Sequence, residues 1–291
     1  MHGVVEGAAV DSGLVSNSGP PFSPVMTPSV HQCAHHALML SDPDEKCAAV
    51  AALCDSWGTA ACRVEEGGND PVPLWQPGRP PRPELVPPQS VPFRRPTTRE
   101  GHGALLHAIA HIEFNAINLA LDCVMRFRAF PAGFHGAWLA VAGEEALHFG
   151  LVRGRLRALG YDYGDFPAHN GLWEMACRTA HDPLARMALV PRVLEARGLD
   201  ATPPIMDKLR RIGDEESVAV LEVILRDEVG HVALGDRWFR ILCAERGLEP
   251  EQTYTELIES FGAPRPQPPF NESARLAAGF SRGELARLGR K

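Results

Sequence analysis

Two stretches of this chain carry the same pattern: residues 144–148 read Glu-Glu-Ala-Leu-His, and residues 227–231 read Asp-Glu-Val-Gly-His. Each stretch is an acidic residue followed by Glu-x-x-His. In an α-helix, residues i and i+3 lie on one face, so the glutamate and histidine of each stretch can bind one ion together. Such a pair occurs by chance in many helices. The repeat, together with other carboxylates at matched positions, makes the pattern informative.

A further glutamate precedes each stretch at nearly the same distance. Glu113 lies 32 residues before Glu145, and Glu195 lies 33 residues before Glu228. The matched offsets indicate a duplicated pair of helices. Four carboxylates and two imidazoles are the ligands of carboxylate-bridged iron or manganese pairs in four-helix bundles. The predicted metal ligands are Glu113, Glu145, His148, Glu195, Glu228 and His231.

The predicted ligands lie on apolar helix faces. Glu113 interrupts a stripe that includes Leu106, Ile109, Ala116, Ile117, Ala120 and Val124, and Glu145 and Glu228 have similar neighbours. Burial of an ionised carboxylate without a partner destabilises a protein by roughly several kcal/mol, unless the carboxylate takes up a proton. Four carboxylates would balance two divalent ions. Buried Glu–His pairs that satisfy one another are the simpler alternative, but they leave the matched offsets unexplained.

Glu195 is the least well supported ligand. It lies three residues before Gly198 and four after Pro191. A proline inside a helix removes a hydrogen bond and kinks the helix. The kink can turn Glu195 inward, or the helix can end earlier and leave Glu195 at the surface. We predict the inward position.

Helical periodicity predicts an all-α fold built on a four-helix bundle. The predicted helices span 99–129, 134–159, 182–197 and 214–246, and Gly198 is expected to end the third, with Pro203-Pro204 beyond it. The predicted divisions are a mobile N-terminal tail (1–34), an N-terminal helix near 35–57 with a proline-rich arm (35–97), the bundle with the dinuclear site (98–247) and a C-terminal extension packed on the bundle (248–291). In the extension we expect a helix near 250–260, a turn at 264–269 and a last short helix capped near Asn271.

Composition excludes several classes of protein. The net charge of −7 gives no general attraction for nucleic acid. Seven cysteines without a CxxC pair are typical of reduced thiols, not of a disulfide framework. The first thirty residues lack a secretory pattern, and no stretch approaches 18 apolar residues. We therefore expect a cytoplasmic protein that does not associate with membranes.

Other charged residues and histidines near the repeat were considered as ligands or binding residues. Glu144 and Asp227 are either hydrogen-bond acceptors for the ligands or surface charges. His107 and His111 lie on the wrong side of their helix to bind the same ion as Glu113. Arg153, Arg155 and Arg157 are interpreted as a solvated face rather than a phosphate site.

Several longer motifs resemble a known family. They are 105–113 (LLHAIAHIE), 144–148, 163–169 (YGDFPAH), 171–175 (GLWEM), 189–200 (LVPRVLEARGLD) and 225–231 (LRDEVGH). Over most of residues 35–285 the chain is similar to a ferritin-like family catalogued as domain of unknown function 455. More distantly, the ligand pattern resembles the tRNA hydroxylase MiaE and other bundle di-iron carboxylate proteins. The resemblance implies a ferritin-like fold and transfers only the six metal positions.

The expected function is an oxygen-dependent oxidase or hydroxylase with two iron ions, or manganese or mixed iron and manganese, acting on a small organic substrate. Its electron donor is unidentified, and a homodimer is left open. The apolar residues expected to line its pocket, or alternatively to pack in the core, are Phe114, Ile117, Leu147, Phe149 and Ile224. The alternatives are a ferroxidase or iron-handling protein, a tRNA-modifying hydroxylase and a non-catalytic helical scaffold. Stable tyrosyl-radical storage is disfavoured, because Tyr161, Tyr163 and Tyr254 fall outside the predicted bundle helices.

Overall fold

The computed structural model describes residues 28–59, 62–64, 73 and 76–289. This part of the chain is α-helical and contains no strand, only two isolated β-bridges. The helices are α1 (Val30–Met39), α2 (Pro43–Ser56), α3 (Arg99–Arg126), α4 (Ala132–Ala158), α5 (Gly171–Arg178), α6 (Pro183–Leu189), α7 (Ala196–Arg211), α8 (Glu215–Glu245), α9 (Pro250–Ser260), α10 (Glu272–Ala277) and α11 (Arg282–Leu288). A 3₁₀ turn spans Pro88–Ser90, and a π-helical segment, Val190–Glu195, joins α6 to α7.

Four rods form the bundle: α3, α4, α8 and the continuous rod of α6, the π-helical segment and α7. Helix α3 packs against α4, and α8 packs against both α4 and the third rod. Helix α1 covers α3 and helix α2 covers α4 on the outside. Helix α3 is long and apolar enough to cross a membrane, but 78% of its most apolar window is buried inside the fold. It is therefore consistent with the core helix of a soluble protein.

The third rod differs from its prediction, which ended it at Gly198. The helix continues through Gly198 and through Pro203 and Pro204 to Arg211. The π-helical segment accommodates Pro191, whose missing amide interrupts the α-helical hydrogen bonds. The ring of Pro191 fits against Gly235 of α8, where an added Cβ would lie 2.2 Å from Pro191 Cγ.

The C-terminal extension donates hydrogen bonds to two carbonyls of the third rod. Pro203 has no amide for the carbonyl of Leu199, and that carbonyl accepts instead from Asn271 Nδ2 at 3.2 Å. In the π-helical segment, the carbonyl of Arg192 accepts from the Tyr254 hydroxyl at 2.8 Å. The predicted helix near 250–260 and the cap at Asn271 are present. Helix α11 was not predicted.

The N-terminal region contains two helices where one was predicted. The prediction near 35–57 covers α2 and the end of α1, but α1 begins at Val30, behind a capping box formed by Ser29 and Gln32. Val30 is fully buried, so the tail predicted to reach residue 34 overlaps a helix of the core. The remainder of that tail, residues 1–27, lies outside the described residues.

The described part of the proline-rich arm lies along the domain. Gly78 donates to the carbonyl of Leu38 at 2.9 Å, and Val86 and Ala168 are joined by a backbone hydrogen bond of 2.8 Å. The arm therefore reaches both α1 and the segment between α4 and α5.

Candidate metal centre

Five of the six predicted ligands meet inside the bundle. Two groups of side chains could each hold an ion: Glu113 with Glu145 and His148, and Glu145 with Glu228 and His231. In each group the ligand atoms lie within 4.8 Å of one another, and all five side chains are buried. Glu145 belongs to both groups, so its carboxylate is in position to bridge two ions.

The distances show the Nδ1 atoms of both histidines facing the carboxylates. His148 Nδ1 lies 3.3 Å from Glu145 Oε2 and 3.4 Å from Glu113 Oε2. His231 Nδ1 lies 3.0 Å from Glu145 Oε1 and 3.7 Å from Glu228 Oε2. The two Glu-x-x-His pairs therefore converge on the central carboxylate from neighbouring helices.

The acidic residue before each pair holds the histidine of the other helix. Asp227 Oδ2 of α8 lies 3.1 Å from His148 Nε2, and Glu144 Oε2 of α4 lies 2.6 Å from His231 Nε2. Because an ionised carboxylate only accepts, Nε2 carries a proton, and loss of the Nδ1 proton would present the lone pair of that atom to the interior. These outer carboxylates, Glu144 and Asp227, are the hydrogen-bond acceptors that the sequence left undecided.

Several inward-facing atoms have no hydrogen-bond partner. They are Glu113 Oε2, Glu145 Oε1, Glu195 Oε2, Glu228 Oε2 and His231 Nδ1. His231 Nδ1 and Glu145 Oε1 are 3.0 Å apart but are not aligned for a hydrogen bond. Ligands held at right angles about 2.1 Å from one octahedral ion would lie roughly 3 Å apart. Oxygen and imidazole nitrogen are donors that suit divalent iron, manganese and zinc. The residues present therefore fit a divalent cation.

Burial and mutual repulsion shift the pKa values of the cluster. Burial, and then the charge of Glu145, raise the pKa of Glu113, Glu195 and Glu228. Burial alone would raise the pKa of Glu145 too, but its contacts with His148 and His231 lower it. Despite burial, contacts with the carboxylates raise the pKa of His148 to about 10 and that of His231 to about 12. Without a cation, the cluster offsets its negative charge by holding protons.

Glu195 lies inside the protein but in neither group. It ends the π-helical segment, and its carboxylate is close enough to Glu145 and His231 for their charges to shift its pKa. Its role as a ligand stays a prediction. Its inward position agrees with the effect expected of Pro191.

A cavity of about 520 Å³ adjoins the cluster. Glu113, Glu195 and Glu228 line it, and we refer to them as the cavity-facing carboxylates. The remaining walls are mostly apolar and come from α3, α5, α7 and α8. No described residue of α4 lines the cavity. Glu145 and His148 therefore lie on the far side of the cluster.

The pocket lining predicted from the sequence is mostly wrong. Ile224 lines the cavity, whereas Phe114 and Phe149 pack against each other and Tyr163, with ring centroids 5.2–5.4 Å apart. Ile117 is buried in the core, and Leu147 is 55% exposed. The prediction chose sequence neighbours of the ligands, but neighbours along a helix point to other faces.

Two histidines near Glu113 bond to a loop and not to the cluster. His111 contacts the Tyr163 hydroxyl through Nδ1 at 2.9 Å and the His169 carbonyl through Nε2 at 3.0 Å. His107 Nε2 accepts from the amide of Gly164 at 2.9 Å. Both bind the segment that leads from α4 to α5.

The family model described as a protein of unknown function (DUF455) matches residues 39–286. This chain belongs to that family. An uncharacterized protein of Haemophilus influenzae is 46% identical to this DUF455 chain over 258 residues, which cover 86% of the chain and 90% of the relative. No solved structure matches.

The cavity residues that sequence reasoning missed in this DUF455 chain belong to α5 and to the segment just before it. His169, Leu172 and Met175 line the cavity next to α3. The motif at 171–175 gave a signal, since its apolar residues have helical spacing, but it was noted only as part of the resemblance. The position of α5 over the cavity depends on tertiary packing.

Proposed function

We propose that this DUF455 protein is an oxygen-dependent oxidase or hydroxylase that acts on an organic substrate at a dinuclear iron or iron–manganese centre. The observation that carries the proposal is the pair of Glu/His groups joined by Glu145 beside a largely apolar cavity. Bundle proteins of the ferritin-like class hold two ions with the same types of ligand.

The side chains of the cluster would have distinct roles in holding the two ions. Glu145 would bridge, with His148 and His231 as the nitrogen ligands on either side. The outer carboxylates fix the orientation of both imidazoles and increase their basicity. Two redox-active divalent ions would supply the electron chemistry that dioxygen activation requires.

The cavity determines which substrates can reach the centre. The cavity-facing carboxylates lie where a substrate would meet the metal ligands, and the closed side is sealed by α4. Apolar walls exclude water from the reaction and favour the binding of apolar substrates.

The alternative of a tRNA-modifying hydroxylase finds little support at the arginine-rich end of α4. Arg153 is paired with Asp44 and Asp162, and Arg157 is paired with Asp162. The sequence predicted a solvated face here; these arginines are instead paired with acidic neighbours, and they do not form a phosphate-binding patch.

The test is anaerobic reconstitution with Fe(II), followed by metal analysis, Mössbauer spectroscopy and oxygen-uptake measurements. The proposal expects close to two irons per chain, magnetic coupling after oxidation, and oxygen uptake that an organic substrate increases. Iron oxidation without any substrate dependence would support a ferroxidase instead. Absence of bound iron and manganese after reconstitution would support the alternative of a non-catalytic helical scaffold.

A further inference from the structure

Helix α3 lines the cavity on both sides of Glu113. Ile109 and Ile112 precede this residue by about one turn or less, and Ala116 and Leu119 follow it by one to two turns. The lining on α3 therefore extends over about 15 Å at the helical rise of 1.5 Å per residue. Glu113 lies near the middle of this length and not at one end of it.

The third rod runs antiparallel to α3. Asp122 of α3 and Arg186 of α6 form an ion pair of 2.6 Å. Asp122 lies nine residues after Glu113, whereas Arg186 lies nine residues before Glu195. Glu113 and Glu195 both line the cavity. The lining residues of α7, which follow Glu195, therefore lie beside the part of α3 that precedes Glu113.

Helix α8 runs parallel to α3. His102, near the start of α3, pairs with Asp214, the N-cap of α8, at 2.8 Å. The α8 lining residues Leu221 and Ile224 precede Glu228, so they lie on the side of the carboxylates that faces the start of α3. We call this part of the cavity the α7 arm, and its apolar lining is Ile109, Ile112, Ala201, Ile205, Leu221 and Ile224.

Helix α5 covers the cavity on the other side of Glu113. The segment just before α5 lies beside His111, whose Nε2 donates to the carbonyl of His169 at 3.0 Å. The end of α5 lies beside Arg186, which donates to the carbonyl of Ala176 at 2.6 Å. Helix α5 therefore follows α3 from the carboxylates toward its C-terminal end. We call this part of the cavity the α5 arm, and its apolar lining is Ala116, Leu119, Leu172, Met175 and Leu194.

The two arms form one cavity of about 520 Å³, and the cavity-facing carboxylates lie between them. This volume lies within the roughly 300–1,000 Å³ of ligand pockets. Each apolar group that a ligand buries adds to its affinity, so a ligand that spans both arms binds more tightly than one confined to a single arm. Ile112 is 48% exposed, and a ligand in the α7 arm would cover it.

We propose that the cavity binds a long apolar chain that spans both arms, so that an internal segment of the chain, and neither of its ends, lies against the cavity-facing carboxylates. This inference deepens the proposed function and rests on it, because it treats the cavity as the substrate site. The carboxylates change their charge when metal binds. The positions of the two arms relative to the carboxylates do not depend on that charge.

The first test locates a bound probe relative to the metal by nuclear magnetic resonance. The probe is decanol, which is uncharged, labelled with carbon-13 at its first, a middle or its last carbon. It is added to the full-length protein loaded with Mn(II), and the Zn(II)-loaded protein is the diamagnetic control. The middle carbon should relax fastest, because the paramagnetic effect falls steeply with distance from the ion. Fastest relaxation at either terminal carbon would overturn the inference.

The second test fills each arm in turn and measures decanol binding to the metal-free protein by calorimetry. Ala201→Phe fills the α7 arm and Ala116→Phe fills the α5 arm. Each should weaken decanol binding by about tenfold or more, as expected when roughly two methylene groups lose their apolar contacts. Hexanol, which is short enough for one arm, should bind nearly as it does to the parent. Ala219→Phe, on the exposed face of α8 outside the cavity, is the control and should bind decanol like the parent.

A further variant protects this test against misfolding. Leu172→Trp fills the α5 arm from the facing wall, and it replaces Ala116→Phe if that variant loses helicity by circular dichroism. Weaker decanol binding in Ala201→Phe alone would show that the ligand ends at the carboxylates, which would overturn the inference.

The same samples separate this inference from the proposed function. Decanol binding that is weakened in both arms, in a protein that takes up no iron or manganese after reconstitution, would support the spanning ligand and overturn the metal function. Two bound metals, with decanol binding that neither arm variant changes, would do the reverse.

Discussion

The two halves of the bundle carry the same ligand pattern but differ in structure. In the first half, α3 and α4 are regular helices, and Glu145 lies fully buried between both histidines. In the second half, the rod that carries Glu195 contains a π-helical segment, and its side of the cluster opens on the cavity. A repeat in sequence therefore yields two different structures: in the first half α3 lines the cavity and α4 does not, whereas both rods of the second half line it.

The difference has a physical cause in Pro191. The proline cannot donate its amide, and the π-helical segment that contains it interrupts the α-helical rod and ends at Glu195. Hydrogen bonds from the C-terminal extension stabilise this geometry at Leu199 and Arg192.

The strongest test of the comparison is Glu145→Ala. Because Glu145 belongs to both ligand groups, this variant should lose both ions, whereas Glu195→Ala should lose one at most. Metal analysis after reconstitution measures the difference, and circular dichroism checks that helicity is retained. His111→Ala is the control, since His111 bonds to the 161–169 segment, and it should keep both ions. Equal metal content in Glu145→Ala and the parent would remove the site assignment.

Removal of either outer carboxylate should weaken metal binding less than removal of Glu145, and the effect should be similar in the two halves. Asp227→Ala and Glu144→Ala each remove the acceptor of one histidine Nε2 and should weaken metal binding by about 10–100-fold. Competition with a chelator gives the affinities. Glu222→Ala is a matched control, because Glu222 is an exposed acidic residue of the same helix α8 and pairs with Arg210. A normal affinity in both outer variants would mean that neither carboxylate orients its histidine.

Gly235→Ala tests the packing of the second half. The added Cβ would overlap the ring of Pro191 and should destabilise the protein by about 1–3 kcal/mol. Gly230→Ala, on the exposed side of the same helix, meets no atom within 4 Å and should stabilise by up to about 1 kcal/mol. Urea unfolding of the metal-free proteins measures both. Equal stabilities would show that Pro191 does not determine how the rod fits α8.

Buried histidines should respond to pH in opposite directions. Burial lowers the pKa of His107 to about 4, so between the ordinary value of about 6.5 and 4 the unfolded chain binds more protons than the native one. Stability should therefore fall with falling pH in this range, by up to about 1.4 kcal/mol per pH unit for one histidine. In His107→Gln this contribution disappears, and the difference in unfolding free energy between parent and variant at pH 7 and pH 5 measures it.

Cluster histidines give the contrasting result. Their pKa values of about 10 and 12 mean that His148 and His231 are protonated at pH 7 in the metal-free protein. A cation must displace these protons, so metal affinity should rise with pH. Calorimetry in buffers of different ionisation enthalpy counts the protons released. Metal binding without proton release would contradict Nδ1 ligation.

The two halves of the bundle also show how much of the structure could be predicted from the sequence. Helical periodicity and the 82–83 residue offset predicted the bundle and brought Glu113, Glu145, His148, Glu228 and His231 together correctly. The ends of α3, α4 and α8 followed from local signals such as proline and glycine. The end of the third rod did not follow from local signals. Its continuation through Pro203 depends on the side-chain amide of Asn271, which lies 68 residues further along the chain.

The sequence by itself determined which residues share a helical face, because the α-helical period is fixed by backbone geometry. It therefore determined the helical class and the set of convergent acids and imidazoles. Tertiary structure decided the pairing of each outer carboxylate with the opposite histidine, the inward position of Glu195 and the cavity under α5. These features depend on the distance and rotation between separate helices, and long-range packing fixes both quantities.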